Sequence, residues 1–151
     1  LDAIGGARTF TAFMRSIGDD KTRLDRREPE LNEATPGDAR DTTTPIAAAR
    51  SLQTLLLDGV LSAPARNELT QWMLGDQVAD ALLRAGLPRD WQIADKSGAG
   101  GHGSRSIIAV VWPPKRSAVI VAIYITQTAA SMSASNQAVS RIGSALAKAL
   151  Q

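Results

Sequence analysis

The chain has 151 residues, 44% hydrophobic and 21% charged, enough for one ordinary core, and it contains no apolar run of the roughly 18 residues that a membrane span needs. Its 17 basic and 15 acidic residues are interleaved and leave a net charge of +2, and aromatic residues make up 4%, so neither a phosphate-binding stripe nor a stacking platform for nucleic acid is present. The lack of cysteine excludes disulfides and thiol catalysis, and one histidine without cysteine or H-x-x-x-H spacing argues against a metal site, so neither metal nor cofactor is expected.

The chain opens on Leu1-Asp2 with no signal-peptide pattern, and we read it as cut or processed from something longer, with any targeting segment upstream. Phe10, Phe13, Met14 and Ile17 recur at helical spacing, predicting a helix over Arg8 to Ile17 that Gly18 closes. From Arg23 to Asp41 periodicity disappears among charges, Pro29, Pro36 and Gly37, which reads as a long loop, and loops of that length in a compact domain are usually functional or disordered. Thr44-Pro45 predicts a capped helix running through Ile46, Leu52, Leu55 and Leu56 to Asp58-Gly59. Ser62 and Pro64 start a second, reaching about Met73, and Ala81 to Ala85 predicts a third, short one, ended by Gly86 and Pro88.

The period then changes. Trp91 to Lys96, Ser106 to Trp112 and Ser117 to Thr126 are β-branched or alternating runs separated by glycine-rich and Pro-Pro turns, the pattern of an antiparallel meander. The last of them, Ala118 to Ile125, is apolar on both faces and suits a central strand with a neighbour on each side. Val139, Ile142, Leu146 and Leu150 predict a terminal helix over Ser133 to Leu150 that covers one face of the sheet. Helices, then strands, then a helix make the fold class α+β.

Two stretches carry chemistry. The long loop reads Arg26-Arg27-Glu28-Pro29-Glu30-Leu31-Asn32 and closes at Arg40-Asp41-Thr42-Thr43-Thr44-Pro45. A lone glutamate in a charged loop is ordinarily just solvated, and a lone Arg–Asp pair at a surface is worth under about 1 kcal/mol. The joint spacing of Arg26, Glu28, Pro29, Leu31, Asn32, Asp38 and Asp41, however, closely resembles the Ω loop of class A serine β-lactamases. The resemblance implies that Glu28 is the general base of deacylation and Asn32 its partner in holding the water. It also implies that Arg26 and Asp41 staple the loop ends and that Glu28-Pro29 is a cis peptide.

The second stretch, Lys96-Ser97-Gly98, follows the first predicted strand and leads into Ala99-Gly100-Gly101-His102-Gly103-Ser104-Arg105. By itself such a triplet is weak, but it resembles the K-[ST]-G strand of the same family. The likeness implies that Lys96 supplies positive potential, Ser97 hydrogen-bonds a substrate carboxylate, Gly98 lets the ligand lie along the strand, and the Ala99 N–H is half of an oxyanion hole. Arg105 is then a second carboxylate anchor, where the plain alternative is a cross-strand surface arginine. His102 is placed in solvent at the pocket rim. Trp72, Asp76 and Asn136 also match family positions and are assigned supporting roles, Trp72 as core and Asn136 near Arg105.

The resemblance covers essentially the whole chain and implies a split into residues 1–90, part of a helical domain containing the Ω loop 23–41, and residues 91–151, a three-stranded antiparallel sheet with the C-terminal helix. Two N-terminal strands and the nucleophile helix of that fold are not represented, and neither S-x-x-K nor S-D-N occurs in these 151 residues, nor does a G-x-S-x-G elbow. The implied activity is hydrolysis of β-lactam antibiotics, with penicillins and cephalosporins favoured, in the periplasm or outside the cell. The implied partners are the β-lactam and the N-terminal portion of the same enzyme, without which the isolated chain should fold poorly. A penicillin-binding D,D-peptidase-like protein and a catalytically inert fragment are the alternatives. Glu28 and Asn32 speak against the peptidase, which needs no poised hydrolytic base.

Overall fold

The computed structural model describes residues 1–150, and among them are four α-helices and one three-stranded antiparallel sheet, an α+β arrangement. Helix α1 (Gly6–Ser16) ends at Ile17, and Gly18, at φ 88°, turns the chain out of it. Only Met14 of its apolar residues is buried, and Phe13 is exposed. Helix α2 (Pro45–Leu56) starts where Thr44-Pro45 predicts it. The Thr44 hydroxyl accepts the Ala47 N–H at 3.2 Å, and Pro45 occupies a first-turn position whose N–H would have no helical partner. Helix α3 (Ala63–Leu74) follows Ser62, yet the Ser62 side chain makes no capping bond, so Pro64 in the first turn is the better start signal.

The expected helix over Ala81 to Ala85 is instead a single 3₁₀ turn, Leu83–Gly86. Packing shortens it: Leu82 and Leu83 are wholly buried, and the backbone passes so close to the terminal helix that a Cβ on Gly86 would lie 1.9 Å from the Ser140 carbonyl oxygen.

Strands β1 (Gln92–Gly100), β2 (Ser104–Trp112) and β3 (Val119–Ile125) lie in the order β1-β2-β3. Pairing runs unbroken from Gln92 opposite Trp112 to Gly100 opposite Ser104, so β1 continues past its predicted end at Lys96 and β2 begins before Ser106. The Lys96-Ser97-Gly98 triplet is therefore inside a strand rather than after one. Gly98 fits there because its missing Cβ would stand 2.8 Å from Ser106 Oγ. The true turn is Gly101-His102-Gly103, with φ of 53° at His102 and 68° at Gly103.

Each sheet face has its own core. On one, Ala94 and Val110 meet Leu52 and Leu56 of α2 and Met73 of α3. On the other, Ile93, Ile107, Ala109 and Val111 meet Leu82, Leu83 and Val139 of α4 (Met132–Leu150). The buried stripe of α4 differs from the predicted one: it is Ser135, Val139, Gly143 and Ala147, while Ile142 is exposed. Small residues win because the 3₁₀ turn crosses against the helix, where a Cβ on Gly143 would sit 2.7 Å from the Leu83 carbonyl oxygen. Strand β3 pairs with β2 along one edge, and among the described residues no strand pairs with its other edge.

Candidate active site

The segment between α1 and α2 carries almost no apolar burial, so its position is set by polar contacts at its neck, its base and its tip. At the neck, buried Asp19 gathers four donors: the Lys21 and Thr22 N–H groups at 2.9 and 2.8 Å, the Thr22 hydroxyl, and the Ser51 hydroxyl of α2 at 2.7 Å. Burial opposes its charge, but these bonds outweigh that and lower the pKa to about 2. The two chain directions are also joined by Thr22 Oγ1 to Thr43 Oγ1 at 2.7 Å and by the Arg23 N–H to the Thr42 carbonyl at 2.9 Å. Asp19 was not singled out from the sequence. An aspartate just after a helix-ending glycine, with a threonine three residues on, is the available signal.

At the base, Asp41 accepts the Asp25 and Arg26 N–H groups at 2.7 and 2.9 Å and Arg26 Nε at 2.5 Å. Burial works against the charged form here too, and the Arg26 guanidinium and the two backbone donors overcome it, lowering the Asp41 pKa. Arg26 also holds the Glu33 carboxylate. Past Arg26 comes the cis Glu28-Pro29 bond and a 3₁₀ turn, Glu30–Asn32. That turn brings Asn32 back over Glu28, and Asn32 Nδ2 donates to Glu28 Oε2 at 2.6 Å. Glu28 is exposed.

The tip of the loop meets the β1–β2 turn. The Gly101 N–H donates to the Asn32 carbonyl at 2.8 Å, and His102 Nδ1 lies 3.1 Å from the Glu33 carbonyl. A Cβ on Gly101 would come within 2.2 Å of the Glu33 carbonyl oxygen, so only glycine permits the approach. His102 is exposed, yet it is bonded to the loop rather than free in solvent.

Strand β1 forms the facing wall. Ala99 is exposed and stands opposite Arg105 in register, while Arg105 itself is 9% exposed. Its Nη1 donates to the Gly98 carbonyl at 3.0 Å and its Nε to Asn136 Oδ1 of α4 at 2.9 Å, which aims the guanidinium along the strand. Burial lowers its pKa, with Asp76 opposing. Lys96 is exposed, with Nζ 3.1 Å from the Ser97 carbonyl, and Ser97 is half-buried. A cleft of about 620 Å³ between loop and sheet is lined by Asn32, Gly98, Ala99, Gly100 and Arg105 among others, whereas Glu28, Lys96 and Ser97 lie outside its lining.

Just before Lys96, Asp95 is fully buried and takes Arg84 Nε at 2.7 Å, and Arg84 also reaches the Met73, Leu74 and Ile93 carbonyls. Burial raises the Asp95 pKa in spite of Arg84, with Asp76 and Asp80 adding to the rise. This pair ties α3 and the 3₁₀ turn to the strand that carries Lys96, and sequence reading missed it. Trp72, expected in the core, is 67% exposed: α3 turns Leu69, Met73 and Leu74 to the sheet and leaves Trp72 on its flank. Asp76 follows that helix and is half-buried. No group of histidine, cysteine, aspartate and glutamate able to hold a metal occurs among the described residues.

Comparison with known proteins gives one answer. Residues 1–150 match the family described as "Beta-lactamase enzyme family". The chain is 68% identical over 143 residues to β-lactamase AER-1 of Aeromonas hydrophila, covering 95% of this chain and 47% of that protein. It is 52% identical over 143 residues to β-lactamase CARB-4 of Pseudomonas aeruginosa, covering 95% and 50%. Among solved structures, an ancestral (GNCA) class A β-lactamase superposes with a TM-score of 0.97 at 50% identity, covering 99% of this chain and 57% of that one. The chromosome-encoded β-lactamase of Vibrio parahaemolyticus does so with 0.96 at 47% identity, covering 100% and 57%. The chain thus spans about half the length of the curated relatives it matches. It belongs to the β-lactamase enzyme family, in the class A branch.

Proposed function

We propose that the complete protein hydrolyses β-lactam antibiotics through a serine acyl-enzyme, and that this chain supplies the deacylation base and the carboxylate-binding strand. The observation that carries the reading is the Asn32–Glu28 hydrogen bond of 2.6 Å, held beside a cleft whose other wall is Gly98 to Gly100 and Arg105. In this mechanism Arg105, with Lys96 and Ser97, binds the anionic carboxylate of the β-lactam by charge-assisted hydrogen bonds. The strand backbone carries the ring, and the Ala99 N–H donates to the carbonyl oxygen as negative charge develops on it. The nucleophilic serine and its lysine come from residues outside these 151. Once the ring has opened onto that serine, a water held jointly by the Glu28 carboxylate and the Asn32 amide attacks the ester carbon. Glu28 takes its proton, the serine oxygen leaves, and the proton returns to it.

The free edge of β3 is the proposed pairing site for the rest of the same enzyme. Residues 1–90 and 91–151 then belong to its helical and its sheet-containing parts. Export to the periplasm or the medium goes with the proposed substrate. Among the described residues no helix is long and apolar enough to cross a membrane.

The test is turnover of a chromogenic cephalosporin by the full-length protein, followed by intact mass of Glu28→Ala mixed with the same substrate. Removing a general base should slow deacylation by about 10²–10⁴-fold and trap a covalent adduct. No turnover by the parent, or unchanged deacylation in the variant, refutes the assignment.

A further inference from the structure

We infer that His102 is a positioning residue for the Glu28–Asn32 pair, acting through the Glu33 carbonyl; this rests on the deacylation role proposed above. Glu33 closes the 3₁₀ turn whose last residue is Asn32, and its N–H returns to the Glu30 carbonyl at 3.2 Å. Its backbone position therefore sets where the Asn32 side chain stands over Glu28. Two contacts hold that end of the turn against the sheet: the Gly101 N–H on the Asn32 carbonyl at 2.8 Å, and His102 Nδ1 on the Glu33 carbonyl at 3.1 Å. The first is a backbone bond that the absent side chain of Gly101 permits, and the second depends on the side chain at 102. Because a carbonyl oxygen only accepts, Nδ1 carries the proton and the ring is the donor.

The hairpin is built to present this ring. His102 sits at φ 53° between Gly101 and Gly103, and the flanking glycines lie against backbone. A Cβ on Gly101 would be 2.2 Å from the Glu33 oxygen, and one on Gly103 would be 2.1 Å from the Thr128 oxygen. The turn is pinned from both sides, so the imidazole is delivered to one place. Histidine and asparagine both tolerate this left-handed conformation, and asparagine carries an N–H donor at nearly the same distance from the backbone.

The experiment uses the full-length protein and two variants. His102→Gly keeps the positive φ and removes the donor, and His102→Asn keeps both. Benzylpenicillin is mixed with each protein, and the rise and decay of the acyl-enzyme are followed by quenched intact mass, beside steady-state kinetics. Loss of one neutral hydrogen bond predicts that His102→Gly slows deacylation by about two- to tenfold and leaves acylation unchanged, so kcat and KM fall together at constant kcat/KM. His102→Asn should return deacylation to within about twofold of the parent. A merely structural role would lower the active fraction, dropping kcat at constant KM. That result, parental deacylation in His102→Gly, or no recovery in His102→Asn overturns the inference. A parent that forms no acyl-enzyme overturns the deacylation reading itself, and the inference with it.

Discussion

Replacing Asp41 by alanine should open the loop that carries Glu28 without unfolding the rest. The Asp41 side chain is 3% exposed and accepts three hydrogen bonds, two of them from Arg26. Removing a buried acceptor costs about 1–3 kcal/mol for each donor left unpaired. Asp25 is exposed and its N–H finds water, so the penalty falls mainly on the Arg26 backbone and the lost ion pair. Asp41 also sits at φ 55°, a conformation that costs alanine about 1–2 kcal/mol and aspartate less. Together these favour opening by roughly 3 kcal/mol, which is about a hundredfold in the opening equilibrium. Hydrogen exchange of the Arg23–Asp41 amides in the full-length protein reads that number directly. Glu33→Ala is the control. It removes the other carboxylate bound to Arg26, but that side chain is 53% exposed, and loss of a solvated pair should change protection by no more than about threefold. If the two variants exchange alike, the reasoning that burial makes Asp41 the dominant contact is wrong.

Three further outcomes follow from other parts of the structure. Asp19, lowered to about 2 in the folded protein, stabilises it by about 2–3 kcal/mol at neutral pH relative to an unfolded carboxyl near 3.9. A lowered pKa contributes stability that is complete above the unfolded value and disappears as pH falls from about 4 through 2. The stability gap between parent and Asp19→Asn, measured by denaturant titration, should therefore be flat above pH 5 and narrow below 4. Arg105→Ala should lower kcat/KM for a penicillin by about ten- to a hundredfold, the worth of a charge-assisted contact, and Arg105→Lys should not restore it, because donors on one ammonium nitrogen do not reproduce the separated Nε and Nη1 that hold Asn136 and Gly98 while the rest of the fork faces a carboxylate. Gly86→Ala should lower stability by about 1–3 kcal/mol with KM unchanged, since its Cβ would meet the Ser140 carbonyl and the Ser144 N–H of α4, both backbone. Thermal melts beside kinetics check it.

What could be read from the sequence depended on whether the determining interaction was local. Thr44-Pro45, Gly18 and the β-branched run in Ser106 to Trp112 act within a few residues, and the elements they predict are present. The failures at the end of the first strand, the third helix and the terminal helix arise from contacts distant in sequence. Gly98 and Gly100 read as part of a turn but are strand, because β2 lies alongside them. The Ala81–Ala85 pattern read as a helix but is one 3₁₀ turn, because α4 passes within contact of Gly86. Ile142 read as core but is exposed, because the crossing at Gly143 admits only small side chains. For the site, motif spacing pointed to Glu28, Asn32 and Arg105. It did not point to the Asp19–Ser51, Arg84–Asp95 or His102–Glu33 contacts, which span 32, 11 and 69 residues.

That division bears on how such a site varies. The sheet and its helices are held by two apolar cores, where a change in volume is felt as stability. The Glu28 loop has no comparable core. It is held by Asp19 and Thr22 at the neck, by Asp41 and Arg26 at the base, and by Gly101 and His102 at the tip. Local opening of such a segment takes less free energy than global unfolding. A substitution at the base or the tip therefore moves the geometry of Glu28 and Asn32 while leaving the melting behaviour of the cores nearly untouched, whereas one at Asp19, which also binds Ser51 of α2, lowers global stability as well. The tip is the most permissive of the three, because one of its two bonds comes from an exposed side chain rather than from a buried carboxylate. Variation at position 102 should therefore tune turnover in small steps, whereas variation at Asp41 or Asp19 should act as a switch.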